Sequence, residues 1–261
     1  MKDRMSTISS KPTPTVREPA ESALERKLSY HLPLTFSEKD ALRWLERRER
    51  SYSAGSVIVR EGELTDKLFI VASGWLHGST QLEDGGRQIL RFYFLGDLTA
   101  TFSLAWGYCA ATLTAVSDCT LFEVPRPALG KVFREYPRLS ALLYTVSSAE
   151  QVALCDRLTS VGRTDALKRV GTLLLQIRTQ LQIVDGPLGS VFELPLTLQD
   201  LGDATGLTKT HVGRTLKTLE REGYIIRDGK IIRIVEIDAL AQRVLFKDRV
   251  THVATDWFVE D

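Results

Sequence analysis

Between Leu194 and Ile225 the chain reads LPLTLQDLGDATGLTKTHVGRTLKTLEREGYI, and the spacing in this stretch leaves room for few folds. Leu201, Leu207, Val212 and Leu216 fall where two short helices would bury a shared face. Gly202 stands where such helices cross closely. Gly206 stands at the turn between them, where a positive φ is needed. Thr197 and Thr208 each precede a helical run and suit the N-cap, because a threonine hydroxyl accepts from an unpaired N–H of the first turn. The pattern predicts a helix-turn-helix. Downstream, YIIRDGKIIRIV is two β-branched runs around Asp228-Gly229, a type I′ hairpin signal. A helix-turn-helix followed by a hairpin is a winged helix.

The second helix of the pair would carry Lys209, Thr210, His211, Arg214 and Lys217 outward, after Thr208 at its cap. These are donors suited to phosphates and base edges, so they are the candidate contacts to double-stranded DNA. Net charge over 261 residues is only +1, so nucleic-acid affinity has to come from a local patch. From Leu207 to Arg233 the basic residues are Lys209, Arg214, Lys217, Arg221, Arg227, Lys230 and Arg233, opposed only by Glu220, Glu222 and Asp228. That is such a patch.

The remainder divides by texture. Residues 1–24 are rich in Ser, Thr, Pro and charge, a composition that favours a disordered tail. A short amphipathic helix is predicted over 34–50. From Ser51 to Val124, short apolar runs (SVIV, KLFIVASGWL, RQILRFYFL, ATLTAV, TLFEV) are broken by glycines, with a hairpin tip at Asp84-Gly85-Gly86. That spacing predicts a compact antiparallel barrel or jelly roll. After Pro125 and Pro127, Leu139, Leu142, Leu143, Val146, Ala149, Val152, Ala153 and Leu158 recur at three and four, predicting a long helix over 128–160. Gly162-Arg163 reads as a hinge. Thr164-Asp165 opens a further helix carrying Leu167, Val170, Leu173, Leu174 and Ile177, and DGPLGS (185–190) reads as a loop.

Several functions are disfavoured by the same reading. No apolar run approaches the roughly 20 residues of a membrane span, and the N-terminus has no apolar core of a secretory signal, so a cytoplasmic protein is expected. No nucleophile–base arrangement, Walker loop or metal cluster is visible, so an enzyme is not expected, nor any metal or cofactor. Cys109, Cys119 and Cys155 form no CxxC pair. Cys109 reads as a small buried hydrophobe or a redox thiol, and Cys155 lies on the long helix, where a twin could approach it.

Taken together, the β-roll, the long helix and TLQDLGDATGLTKTHVGRTLKTLEREGYI resemble the Crp–Fnr superfamily of bacterial transcription regulators over roughly 51–240. The resemblance implies an α+β fold: an N-terminal antiparallel β-roll or jelly roll of cyclic-nucleotide-binding type (25–135), a dimerisation helix and hinge (136–162), a winged helix-turn-helix (163–242) and a C-terminal tail (243–261). It implies a homodimer joined through Leu139, Leu143, Val146, Ala149, Val152 and Ala153, a palindromic DNA site, and RNA polymerase as a further partner. It also implies an effector pocket around Gly96, Asp97, Leu98, Cys109 and Ala110. In cyclic-AMP-binding members a Glu holds the ribose and an Arg the phosphate; here Asp97 and Cys109 stand in those places, so no cation faces a phosphate. Cysteines that would hold an iron–sulfur cluster are absent before Cys109, and the haem-ligand positions fall on Ala100 and Phe102. The effector, if one exists, is therefore an unknown small molecule. A different reading is a β-roll module that regulates a partner protein without specific DNA binding; salt-dependent duplex binding separates the two.

Overall fold

The computed structural model describes residues 21–186 and 189–259. Two short helices come first, α1 (Ala23–Ser29) and α2 (Phe36–Leu45), each opened by a capping box, Ser22 with Glu25 and Thr35 with Glu38. The predicted tail over 1–24 lies mostly outside the described residues; at its end, Ala23 and Leu24 already belong to α1. The helix expected over 34–50 is shorter, because its last residues turn into a strand.

Strands β1 (Glu49–Tyr52), β2 (Val57–Val59), β3 (Lys67–Ser73), β4 (Leu76–Gln81), β5 (Arg87–Tyr93) and β6 (Leu98–Thr99) are followed by the one-turn helix α3 (Ser103–Trp106). Strands β7 (Thr112–Ala115) and β8 (Cys119–Pro125) complete the unit. They form two antiparallel four-stranded sheets, β1-β8-β3-β6 and β2-β7-β4-β5, the jelly roll the glycine-punctuated runs predict. The β4–β5 hairpin turns at Asp84-Gly85-Gly86, with Gly85 at φ +81°. Strand β3 is buried on both faces: Phe69 and Val71 meet the opposite sheet, whereas Leu68 and Ile70 meet the helices.

Helix α4 (Arg126–Glu135) leads into α5 (Pro137–Arg163). The sequence reading merged these; Pro137 divides them, since the residue before a proline is pushed out of the helical region and Tyr136 adopts φ −131°, ψ 74°. Helix α5 runs through Gly162, and the break falls at Thr164-Asp165, one residue beyond the expected hinge. One expectation is corrected here. Leu139 and Val146, assigned to a dimer seam, pack with Leu68, Ile70 and Val124 of their own β-roll and are 0% and 6% exposed. Leu143, Ala149 and Ala153 are half-buried and Val152 is exposed; Tyr144, Leu154 and Leu158 also point outward. A helical repeat reveals an apolar stripe but not which neighbour covers it.

Helix α6 (Ala166–Asp185) starts on Asp165, whose side chain accepts from the Lys168 amide, and supplies Val170, Leu173, Leu174 and Ile177 to a second core. Around it stand β9 (Val191–Glu193), α7 (Leu198–Thr205), α8 (Lys209–Arg221), β10 (Ile225–Asp228), β11 (Ile231–Ile234) and α9 (Ile237–Val244). The wing sheet has the order β10-β11-β9. Its hairpin turns at Gly229-Lys230, one residue later than expected, because Asp228 pairs with Ile231. Only Gly229 has a positive φ, so the turn follows the type II′ rather than the type I′ pattern. Beyond α9 the chain returns along α5: Arg249 pairs with Asp156 at 2.8 Å, and Phe258 and Val259 pack against the core shared by α1, α2, β3 and α5.

Candidate nucleic-acid interface and sensor cleft

In the helix-turn-helix, local chemistry fixes the geometry. Thr197 and Asp200 make a reciprocal capping box on α7, and the Thr208 hydroxyl accepts from the His211 amide on α8. Gly206 has φ +68°; a Cβ on Gly202 would lie 2.5 Å from the Leu207 carbonyl oxygen. Val212, Thr215, Leu216 and Leu219 bury one face of α8. The opposite face exposes Thr210, Arg214 and Lys217, spaced i, i+4 and i+7, with Thr208, Lys209 and His211 exposed at its N-terminal end. Among the described residues Lys209, Arg214 and Lys217 form no ion pair. Arg227 differs: it is held by Glu220 at 3.0 Å, which removes one cation from the patch counted in the sequence.

The β-roll and α7 are tied together directly. Arg87 of β5 donates through Nη2 to Asp200 at 2.6 Å and through Nε to Asp203 at 2.7 Å, while Gln88 donates to the Asp203 carbonyl. Arg87 Nη1 lies 3.0 Å from His77 Nε2, so that nitrogen must accept. Burial, and then the neighbouring Arg87 charge, lower the His77 pKa to about 4. Arg157 of α5 reaches three carbonyl oxygens, those of Ile89, Leu90 and Ala204. None of these ties is visible in sequence, because the partners of Arg87 lie 113 and 116 residues away.

A cleft of about 840 Å³ opens between β5, α5, α6 and the C-terminal segment. Gly96, Leu98 and Ala111 line it; Asp97, Cys109 and Ala110 do not. Cys109 instead packs between the two sheets, and burial raises its thiol pKa, so the expectation that it borders the pocket is corrected. Asp97 is 1% exposed and fully engaged. One oxygen accepts from the Phe94 amide at 2.9 Å and the other from the Lys27 ammonium of α1. Lys27 also donates to Glu150 of α5 at 2.9 Å, and Arg91 of β5 grips both Glu150 oxygens, at 2.5 and 2.8 Å. Burial alone would raise the Glu150 pKa, but Arg91 and Lys27 outweigh it and hold the carboxyl far below the ordinary range.

Residues 49–136 match the family model for the cyclic nucleotide-binding domain, and residues 168–243 that for the Crp-like helix-turn-helix domain. The nitrogen fixation regulation protein FixK of Bradyrhizobium diazoefficiens is 31% identical over 198 residues, covering 74% of this chain and 82% of that protein. The chain belongs to the Crp–Fnr family of transcription regulators. The fumarate and nitrate reduction regulatory protein of Escherichia coli K12 is 25% identical over 213 residues, 81% of this chain and 85% of that one. The solved structure of FixK2 from Bradyrhizobium japonicum superposes with a TM-score of 0.66 at 27% identity, covering 74% of this chain and 95% of that one. As a Crp–Fnr protein the chain is a DNA-binding regulator rather than an enzyme. Among the described residues no helix is long and apolar enough to cross a membrane. The sequence reading expected Asp97 in the pocket, yet Asp97 does not line the cleft, and it missed Lys27, Arg91 and Glu150, which do. A buried carboxylate in an apolar run demands a cation, yet spacing does not say which one.

Proposed function

We propose that this regulator acts in the cytoplasm as a homodimer that reads a two-fold-symmetric duplex site through α8, with an effector pocket that no longer takes a cyclic nucleotide. The observation that carries the reading is the unpaired, outward stripe of Thr210, Arg214 and Lys217 opposite the buried face of α8. In a helix-turn-helix the second helix enters the major groove. Arg214 is the base reader, since a guanidinium pairs with both guanine acceptors, O6 and N7. Lys209 and Lys217 grip phosphate, and Thr208, Thr210 and His211 adjust the half-site. Tyr144, Val152, Leu154 and Leu158 on the outer side of α5 are the apolar surface a second copy would cover. RNA polymerase is the partner through which a bound dimer would act on transcription. Asp97 already spent on Lys27, and Cys109 turned into the core, support a pocket closed to cyclic nucleotides.

The test is selection of bound sequences from a random duplex pool, with sedimentation at micromolar protein. Enrichment of a two-fold motif by a dimer is expected. A monomer, or a pool without a motif, overturns the reading and favours a module acting on a partner protein. Calorimetry with cyclic AMP is expected to show no stoichiometric uptake.

A further inference from the structure

Helix α1 lies across the turn that carries Asp97. A Cβ on Gly96 would stand 2.6 Å from the Ala23 carbonyl oxygen and 2.7 Å from the Lys27 Cβ, so α1 touches this turn backbone to backbone. Leu24 and Leu28, on either side of Lys27, are 2% and 1% exposed. The helix is thereby anchored by apolar contact, and its one inward cation is delivered to a fixed point. Lys27 is 3% exposed, and its ammonium bridges two carboxylates from different elements, Asp97 of the β-roll and Glu150 of α5. Lys27 and Glu150 both line the cleft, whereas Asp97 does not, so a group entering from it meets Glu150 first.

We propose that the Asp97–Glu150 pair is an ammonium-binding site whose resident ligand is Lys27, and that an alkylammonium entering from the cleft takes this place when the lysine is withdrawn. Three features suit a primary ammonium. It offers three donors, and two are already matched to carboxylates from different directions. Arg91 already takes both Glu150 oxygens and Lys27 shares Oε1 with it, so a single N–H donor rather than a second bidentate fork completes the carboxylate. The apolar floor of Leu24, Leu28 and Leu98 would receive an alkyl stem. The sensor is thus liganded by its own N-terminal helix, and α1, the Asp97 turn and α5 are pinned at one atom.

The test uses the full chain. Lys27→Ala removes three methylenes and the ammonium, the atoms of n-propylammonium. The variant is expected to melt about 10 °C below wild type, because one partner of a buried ion pair has been deleted. Adding n-propylammonium chloride at tens of millimolar is expected to recover several degrees, saturably, while sodium and tetramethylammonium chloride at equal concentration do not. Wild type, already filled, should not respond. Equal effects of all three salts on Lys27→Ala overturn the proposal. If Lys27→Ala does not fold, Lys27→Met keeps the stem without the charge. The pair Lys27→Met with Asp97→Asn should then be more stable than Lys27→Met alone, and a double variant weaker than either single overturns the proposal.

Discussion

Arg87 of the β-roll and Asp203 of the helix-turn-helix are joined at 2.7 Å, so the DNA-reading unit is fastened to the sensor by a charge pair that is only partly screened from water. Replacing Arg87 by Met keeps the stem and removes all three polar contacts. The expected cost is about 1–2 kcal/mol, discounted because the arginine side chain is about a third exposed. Chemical denaturation at two salt concentrations checks this: wild type should lose stability between low and high salt, and Arg87→Met should lose less.

Acid should loosen the same fastening. His77 is neutral in the folded protein, with a pKa of about 4 against an ordinary value near 6.5. Between those values the unfolded chain binds the extra proton, so stability rises with pH across the window and falls as pH drops from 6.5 toward 4. His31, also lowered to about 4 by burial, adds to this. His77→Gln retains an acceptor for Arg87 without the titration. Melting temperatures measured from pH 7 to 4.5 should fall less steeply for this variant; identical slopes would remove His77 from the account.

On α8, Arg214 and Lys217 should separate by kind of loss. Arg214→Ala should weaken binding by about 1–3 kcal/mol and relax preference at one base pair of each half-site, whereas Lys217→Ala should weaken all sequences alike and lower the salt slope. Competition binding against singly substituted sites measures both. An unchanged preference in Arg214→Ala removes its reading role.

Gly202→Ala is expected to cost about 1–3 kcal/mol, since the new methyl would meet the Leu207 carbonyl rather than a movable side chain. A melting curve identical to wild type would mean that α7 and α8 can part more easily than their contact suggests.

The cysteines should separate kinetically. Cys155 is exposed, whereas Cys109 and Cys119 are buried and burial pushes the Cys119 thiol up to about 11. Thiolate is the reactive form. On a single copy a thiol reagent at pH 7.5 should therefore label Cys155 first, labelling should slow where a second copy covers Val152 and Leu158 beside it, and Cys155→Ser should abolish the fast phase.

The winged helix was the most legible part of the chain because it is specified locally. Threonine caps, a left-handed glycine and apolar spacing all act within a few residues, and the structure places each where the pattern predicts. The jelly roll was legible as a class through its glycines, though not its strand order. Pro137 was present in the sequence, yet the helical repeat on either side of it hid the break between α4 and α5. The charge cluster was not legible. Lys27 meets Asp97 across 70 residues and Glu150 across 123, and no local pattern encodes pairings so distant. The stripe on α5 was seen, but Leu139 and Val146 show that periodicity cannot tell an internal neighbour from an external one.

Arg157 offers its charge to carbonyl oxygens alone, at Ile89, Leu90 and Ala204, and burial lowers its pKa only to about 10. Neither acid nor moderate salt removes an acceptor of this kind. Helix α7 is therefore held by unlike fastenings, charge pairs at Asp200 and Asp203 and a neutral acceptor at Ala204. At Asp200 and Asp203 the bonds break when charge is lost, while the bond at Ala204 does not. Stress on the interface from acidity or salt should make α7 swing about its C-terminal end, as a door released at the latch still turns on its pin.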